Sequence, residues 1–81
     1  MDFGKALEKL KDGGKVRRKG WNGKGMWIAV YKQPPQIPLK VGVFDGVIDC
    51  PMLFIKTVKD TLNTWVPSIS DLFAEDWEVV Q

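Results

Sequence analysis

The chain has 81 residues, 44% of them hydrophobic, and twelve Lys/Arg against ten Asp/Glu give a net charge of +2. That length implies one small domain, since chains divide at roughly 100–200 residues per domain and a chain this short buries only about 60% of its unfolded surface. The single cysteine excludes an internal disulfide, and the lack of histidine argues against zinc, so association between copies is the expected support.

The first predicted element is a helix. Asp2 is placed to cap it, Phe3, Ala6, Leu7 and Leu10 recur at helical spacing, and Gly13-Gly14 ends it. The same opening, MDFGKALEKLKDGG, has no long apolar run and reads as neither a signal peptide nor a membrane span. An unpaired cysteine fits a reducing cytoplasm. Next, KVRRKG reads as a short strand with Val16 and Arg18 on one face and Arg17 and Lys19 on the other. After RRKGWNGKGMW comes MWIAVYK, a strand rich in β-branched and aromatic residues. QPPQIPLK, with three prolines in eight residues, reads as an extended or irregular connector. VGVFDGVIDCP is either a hairpin or a flexible insertion. MLFIKTV suits a buried strand, KDTLN a turn, and TWVP a short edge segment stopped by proline. Ser68 with Asp71 three residues on forms a capping box for one or two helical turns, and WEVV closes the chain as a last strand. The fold class is therefore α+β: one small antiparallel sheet with an N-terminal helix and a short C-terminal helix, a single domain over residues 1–81.

The charge is uneven. Residues 1–32 carry nine Lys/Arg against three Asp/Glu, or +6, whereas residues 33–81 carry three against seven, or −4. A basic front half can attract phosphates, pair with acidic surface, or simply be solvated. Catalytic machinery is scarce. Without histidine the usual general base and the usual triads are missing. Cys50 would need an activating base that Asp49 and Pro51 do not supply, so it reads as a structural thiol. Of the acidic cluster Asp71, Glu75, Asp76 and Glu78, Asp71 looks like a cap residue and Glu75 a solvated position on the same helix. These residues argue against an enzyme, a metal site or a cofactor.

Binding is better supported. Gly20, Gly23 and Gly25 leave backbone N–H groups uncovered, as an anion nest requires. Arg17, Arg18, Lys19 and Lys24 can neutralise phosphate, and Trp21 can stack on a base. The pattern is neither G-x-G-x-x-G nor G-x-x-x-x-G-K-[ST], so neither of those phosphate-binding mechanisms applies. Asn22-Gly23 as a plain hairpin turn remains open beside the site reading.

Three stretches, FGKALEKLKDGGKVRRKGWNGKGMW, MLFIKTV and WVPSISDLFAEDWEVV, resemble the second type of phage anti-Thoeris protein almost from end to end. Residues 33–50 match least well. The resemblance implies a sponge: a nucleotide-sequestering domain that holds signals made by TIR-domain enzymes, chiefly glycocyclic ADP-ribose, and leaves them intact. It also implies cyclic oligonucleotides at separate sites in some members, a homo-oligomer described as a tetramer with pockets between subunits, and a location in the cytoplasm of the infected bacterium. On that basis Trp21 is the expected adenine platform, with core or interface packing as the alternative, and Arg18 or Arg17 the phosphate contact. Asn22 is expected on a ribose or base edge, with Gly23 and Lys24 beside it in the loop. Thr57 and Lys59 sit where MLFIKTV ends and reach toward a neighbouring loop. Trp65 and Ser68 lead into the short helix, whose amides offer an anion site. Asp76 accepts from ribose hydroxyls or bonds back to the basic loop, and Trp77 reads as core. Two other classes stay open: a single-stranded nucleic-acid binder, disfavoured by the near-neutral total charge, and a protein-interaction module using QPPQIP or the aromatics.

Overall fold

The computed structural model describes residues 1–21, 25–31, 37–48 and 50–81. Helix α1 (Phe3–Lys11) starts where the Asp2 side chain accepts from the Lys5 N–H at 2.9 Å, and its apolar stripe buries Ala6 and Leu10 completely. The stripe lies on a five-stranded antiparallel sheet built from β1 (Lys15–Arg18), β2 (Trp27–Tyr31), β5 (Met52–Lys56), β6 (Leu62–Thr64) and β7 (Trp77–Val80), in the order β6-β5-β2-β1-β7. A five-residue helix, α2 (Ile69–Phe73), sits between β6 and β7. Its cap is the expected box: Ser68 Oγ accepts from the Asp71 N–H, and Asp71 returns a bond to the Ser68 N–H.

Strand alternation decides what is buried. Val16 pairs with Ile28, and Ile28 with Ile55, so one face of the central strands is continuously aliphatic. The fully buried set is Ala6, Leu10, Val16, Ile28 and Trp77, ringed by Phe3, Leu7, Trp21, Val30, Leu53, Ile55, Trp65 and Ala74. Each buried aliphatic contributes about 1.5–3 kcal/mol. The core is thus small and leans on Trp77, which is core as its sequence position implied.

Between β2 and β5, which pair from Trp27↔Lys56 to Tyr31↔Met52, the chain inserts a separate hairpin, β3 (Ile37–Val41) and β4 (Phe44–Ile48). The ambiguous VGVFDGVIDCP thus resolves as a hairpin, and Ile37–Lys40 of the proline-rich connector belong to its first strand. Gly42, at φ 60°, supplies the positive φ that a two-residue hairpin turn needs. Residues 33–36 of the connector, and Lys32 before it, lie outside the described residues. Pro38 is tolerated because the pair is two-stranded, with one open edge on each side.

Two expectations need correction. The edge strand is Leu62–Thr64, earlier than TWVP, because Thr57 closes the preceding turn early. The Thr57 N–H donates to the Thr61 carbonyl at 2.9 Å, and the two hydroxyls meet at 2.7 Å. Leu62 and Asn63 are thereby freed to pair with Lys56 and Ile55. Cys50, read as a structural thiol, is exposed in the link between β4 and β5.

Candidate functional site

The register brings most of the sequence-derived residues to one end of the sheet. β1 ends there at Arg18, β2 begins there at Trp27, β5 ends there at Lys56, and β7 begins there at Trp77. The glycine-bearing loop after β1 and the 57–61 turn are therefore neighbours. A direct bond joins them: Lys56 Nζ donates to the Gly25 carbonyl at 3.1 Å while pairing with Asp60 at 2.8 Å. Gly25 is at φ 82°, a conformation that favours glycine. Asn22, Gly23 and Lys24 lie outside the described residues, so the hairpin reading of Asn22-Gly23 does too.

Trp21 is half-buried. Its ring meets Trp77 edge-on at 5.6 Å and Trp65 at 6.5 Å, and Phe3 packs on both Trp65 and Trp77. Such tilted aromatic pairs each add about 0.5–1.5 kcal/mol beyond their area. Trp21 thus packs against the core, the alternative to the platform reading, and keeps part of its surface in water. The cluster is locked by polar bonds on the α2 side: the Trp77 indole N–H donates to the Asp71 carbonyl at 3.0 Å.

The two arginines part company. Arg18 pairs across to Trp77 and Arg17 to Glu78, so their side chains leave opposite faces of the sheet. Arg18 Nε donates to Asp76 at 2.9 Å and its Nη1 to Asp71 at 3.1 Å. The bond from Asp76, then that from Asp71, raises the guanidinium pKa further. In return, Arg18 holds the Asp76 carboxyl below its ordinary value. Asp71 is pushed up by burial, but the Ser68 N–H, the Ser68 hydroxyl and Arg18 outweigh that and leave it lowered. Arg17, 42% exposed against 24% for Arg18, holds one carboxylate, Glu78, at 2.8 Å. Asp76 thus takes the structural bond back to the basic segment, and its carbonyl also accepts from the Lys19 N–H at 3.1 Å.

Of the sequence-derived residues, Arg18, Trp21, Trp65, Ser68 and Asp76 form one contiguous group. Arg17 lies on the opposite face, and Thr57 and Lys59 form a second group across Gly25. The Thr57 hydroxyl is used within its turn, accepting from the Lys59 N–H at 3.2 Å, and the Lys59 side chain is exposed. Lys19, exposed beside Trp21, has no ion-pair partner among the described residues. The sequence reading missed Phe3 in the aromatic cluster, the Lys56 grip on Gly25, and Lys15, whose Nζ lies 5.1 Å over the Trp27 ring. It also took Asp71 for a cap alone, when the carboxylate serves the cap and Arg18 together. The available signal was the split between a basic front and an acidic end.

Two apolar grooves lie away from this group. One, of about 240 Å³, runs between α1 and β5, and the other, of about 170 Å³, lies over Trp27, Ala29, Phe54 and Leu62. None of the sequence-derived site residues lines either groove. Among the described residues no cluster of carboxylates or sulfur ligands is arranged for a metal ion, and no helix is long and apolar enough to cross a membrane.

Residues 1–80 match the Thoeris anti-defense 2-like domain. A relative named Thoeris anti-defense 2, from Bacillus phage SP01, is 42% identical over 85 residues, covering 99% of this chain and 94% of its own length.

Proposed function

Because the chain belongs to the Thoeris anti-defense 2-like family, we propose that it disarms Thoeris by binding a nucleotide signal and holding it without cleavage. The ligand class is glycocyclic ADP-ribose made by TIR enzymes, with cyclic oligonucleotides as a further class. The carrying observation is Trp21: a half-buried indole, braced edge-on by Trp65 and Trp77, that opens beside exposed Lys19 and the loop reaching Gly25. A ligand with two phosphates and an adenine needs an aromatic platform, backbone donors and cationic charge. Arg18 is better suited to bracing the platform than to gripping phosphate, since two carboxylates already hold it.

The part of Trp21 left in water beside exposed Lys19 favours pockets completed by another subunit in a homo-oligomer, a tetramer. The work would be done in the cytoplasm of the infected bacterium. No step needs a general base, and the shifted groups Arg18, Asp76 and Asp60 follow from their ion pairs and Asp71 from its Ser68 bonds together with Arg18.

Titration of purified protein with glycocyclic ADP-ribose tests the site. Trp21→Ala is expected to weaken binding about tenfold or more, the worth of a lost stack, with circular dichroism reporting that the sheet remains. Undiminished binding by that variant would remove Trp21 from the site.

A further inference from the structure

The chain on either side of the glycine-bearing loop is held from two other elements. Among the described residues the ladder between β1 and β2 is a single pair, Val16↔Ile28, so these two strands do little to fix the loop between them. At the near end, the Asp76 carboxylate accepts from Arg18 Nε at 2.9 Å and the Asp76 carbonyl from the Lys19 N–H at 3.1 Å, and the Trp21 N–H closes a turn onto the Arg18 carbonyl at 3.2 Å. At the far end the hold comes from β5. Trp27 pairs with Lys56 in register, and the Lys56 side chain carries that hold two residues further, donating to the Gly25 carbonyl at 3.1 Å. Its ammonium also reaches Asp60 Oδ1 at 2.8 Å and, more loosely, the Thr57 carbonyl at 3.5 Å. An ammonium has three N–H groups, and here each has an acceptor within the chain. Unlike exposed Lys19, Lys56 has nothing left to offer a phosphate.

We propose that Lys56 is a positioning residue for ligand capture: by holding the Gly25 carbonyl, it fixes the Gly25 backbone relative to the Trp21 indole before the ligand arrives. The proposal rests on the reading of Trp21 as the platform of a nucleotide site. A nucleotide that stacks on Trp21 and meets the loop backbone needs both at a set spacing, and fixing that spacing in advance lowers the cost of binding. Gly25 is at φ 82°, and glycine populates both signs of φ about as readily, so Gly25 released from Lys56 leaves this state easily. Only the molecules still in the competent arrangement then bind, and the apparent affinity falls by that fraction. Lys56 does not itself reach the ligand, so its loss acts on the free protein and slows association. Loss of a residue that grips the ligand shows mainly in faster dissociation. Asp60, with its side chain 81% exposed, aims the ammonium by occupying one of its N–H groups. A pair this open to solvent contributes little to overall stability.

Stopped-flow binding of glycocyclic ADP-ribose, read by tryptophan fluorescence, compares the wild type with Lys56→Met and Lys56→Arg. Methionine keeps an apolar stem on β5 but cannot donate, whereas arginine keeps a donor for the Gly25 carbonyl. Lys56→Met is expected to associate about fivefold more slowly, with a dissociation rate and melting temperature near those of the wild type. Lys56→Arg is expected to recover most of the lost rate. Wild-type association by Lys56→Met would overturn the proposal and leave the nucleotide site standing. Faster dissociation with unchanged association would also overturn it, since that marks a ligand contact. A wild type that does not take up glycocyclic ADP-ribose would remove the site reading and this proposal with it. If Lys56→Met does not fold, Lys56→Gln, whose shorter side chain falls short of the Gly25 carbonyl, carries the test with the same outcomes.

Discussion

At the scale of single residues, the arginine pair divides the labour. Arg18 joins β1 to α2 and to the start of β7, and its partners Asp71 and Asp76 lie 53 and 58 residues away in sequence. Arg17→Met removes one half-exposed pair and should leave the melting temperature nearly unchanged. Arg18→Met strands Asp71, whose carboxylate is only 14% exposed, and should lower it by roughly 5 °C. The pH dependence has a definite sign. Asp71 and Asp76 have folded-state values below their ordinary 3.8, so the stability they contribute is present above about pH 4 and is lost as pH falls through the lowered values. Thermal melts from pH 7 downward should show that acid loss, and it should flatten in Asp76→Asn. Asp76 was legible as a bond back to the basic loop, but Asp71 was not legible as a partner of Arg18, because pairing over such separations leaves no periodic trace. The sequence does show the imbalance between a basic front and an acidic end, which the fold resolves largely within the chain.

At the scale of elements, legibility follows locality. The Asp2 cap, the α1 stripe, the Ser68–Asp71 box and the strands at WIAVY, MLFIK and WEVV all rest on residues within four positions of one another, and the structure places them as read. The edge strand was misplaced by two residues because its start depends on where the Thr57–Thr61 turn closes. That turn needs Asp60 at φ 60°, which nothing in its identity announces. The 41–51 segment was ambiguous because a two-stranded pair with no third strand gives a weak alternation signal. The cap offers an element-scale test. Ser68→Ala should cost about 1 kcal/mol and lower the melting temperature by about 4–8 °C for a domain of this size. A wild-type melting curve for this variant would show that α2 is held by Arg18 and Trp77 rather than by its box.

For the whole molecule, a small tryptophan-braced core carries a basic, glycine-bearing loop at one end of the sheet. The fold class was legible throughout. The candidate site was legible only in part: the alternation that sends Arg17 and Arg18 to opposite faces could be read, but the sheet order that decides which candidates meet could not. The central claim is that the protein holds a nucleotide signal and returns it intact. The most direct test incubates purified protein with the product mixture of a TIR enzyme, removes the protein by filtration, then heat-denatures it and assays what is released. The account predicts a filtrate depleted of signal and recovery of chemically unchanged glycocyclic ADP-ribose from the denatured protein. Signal that stays in the filtrate, or that returns altered, would contradict it.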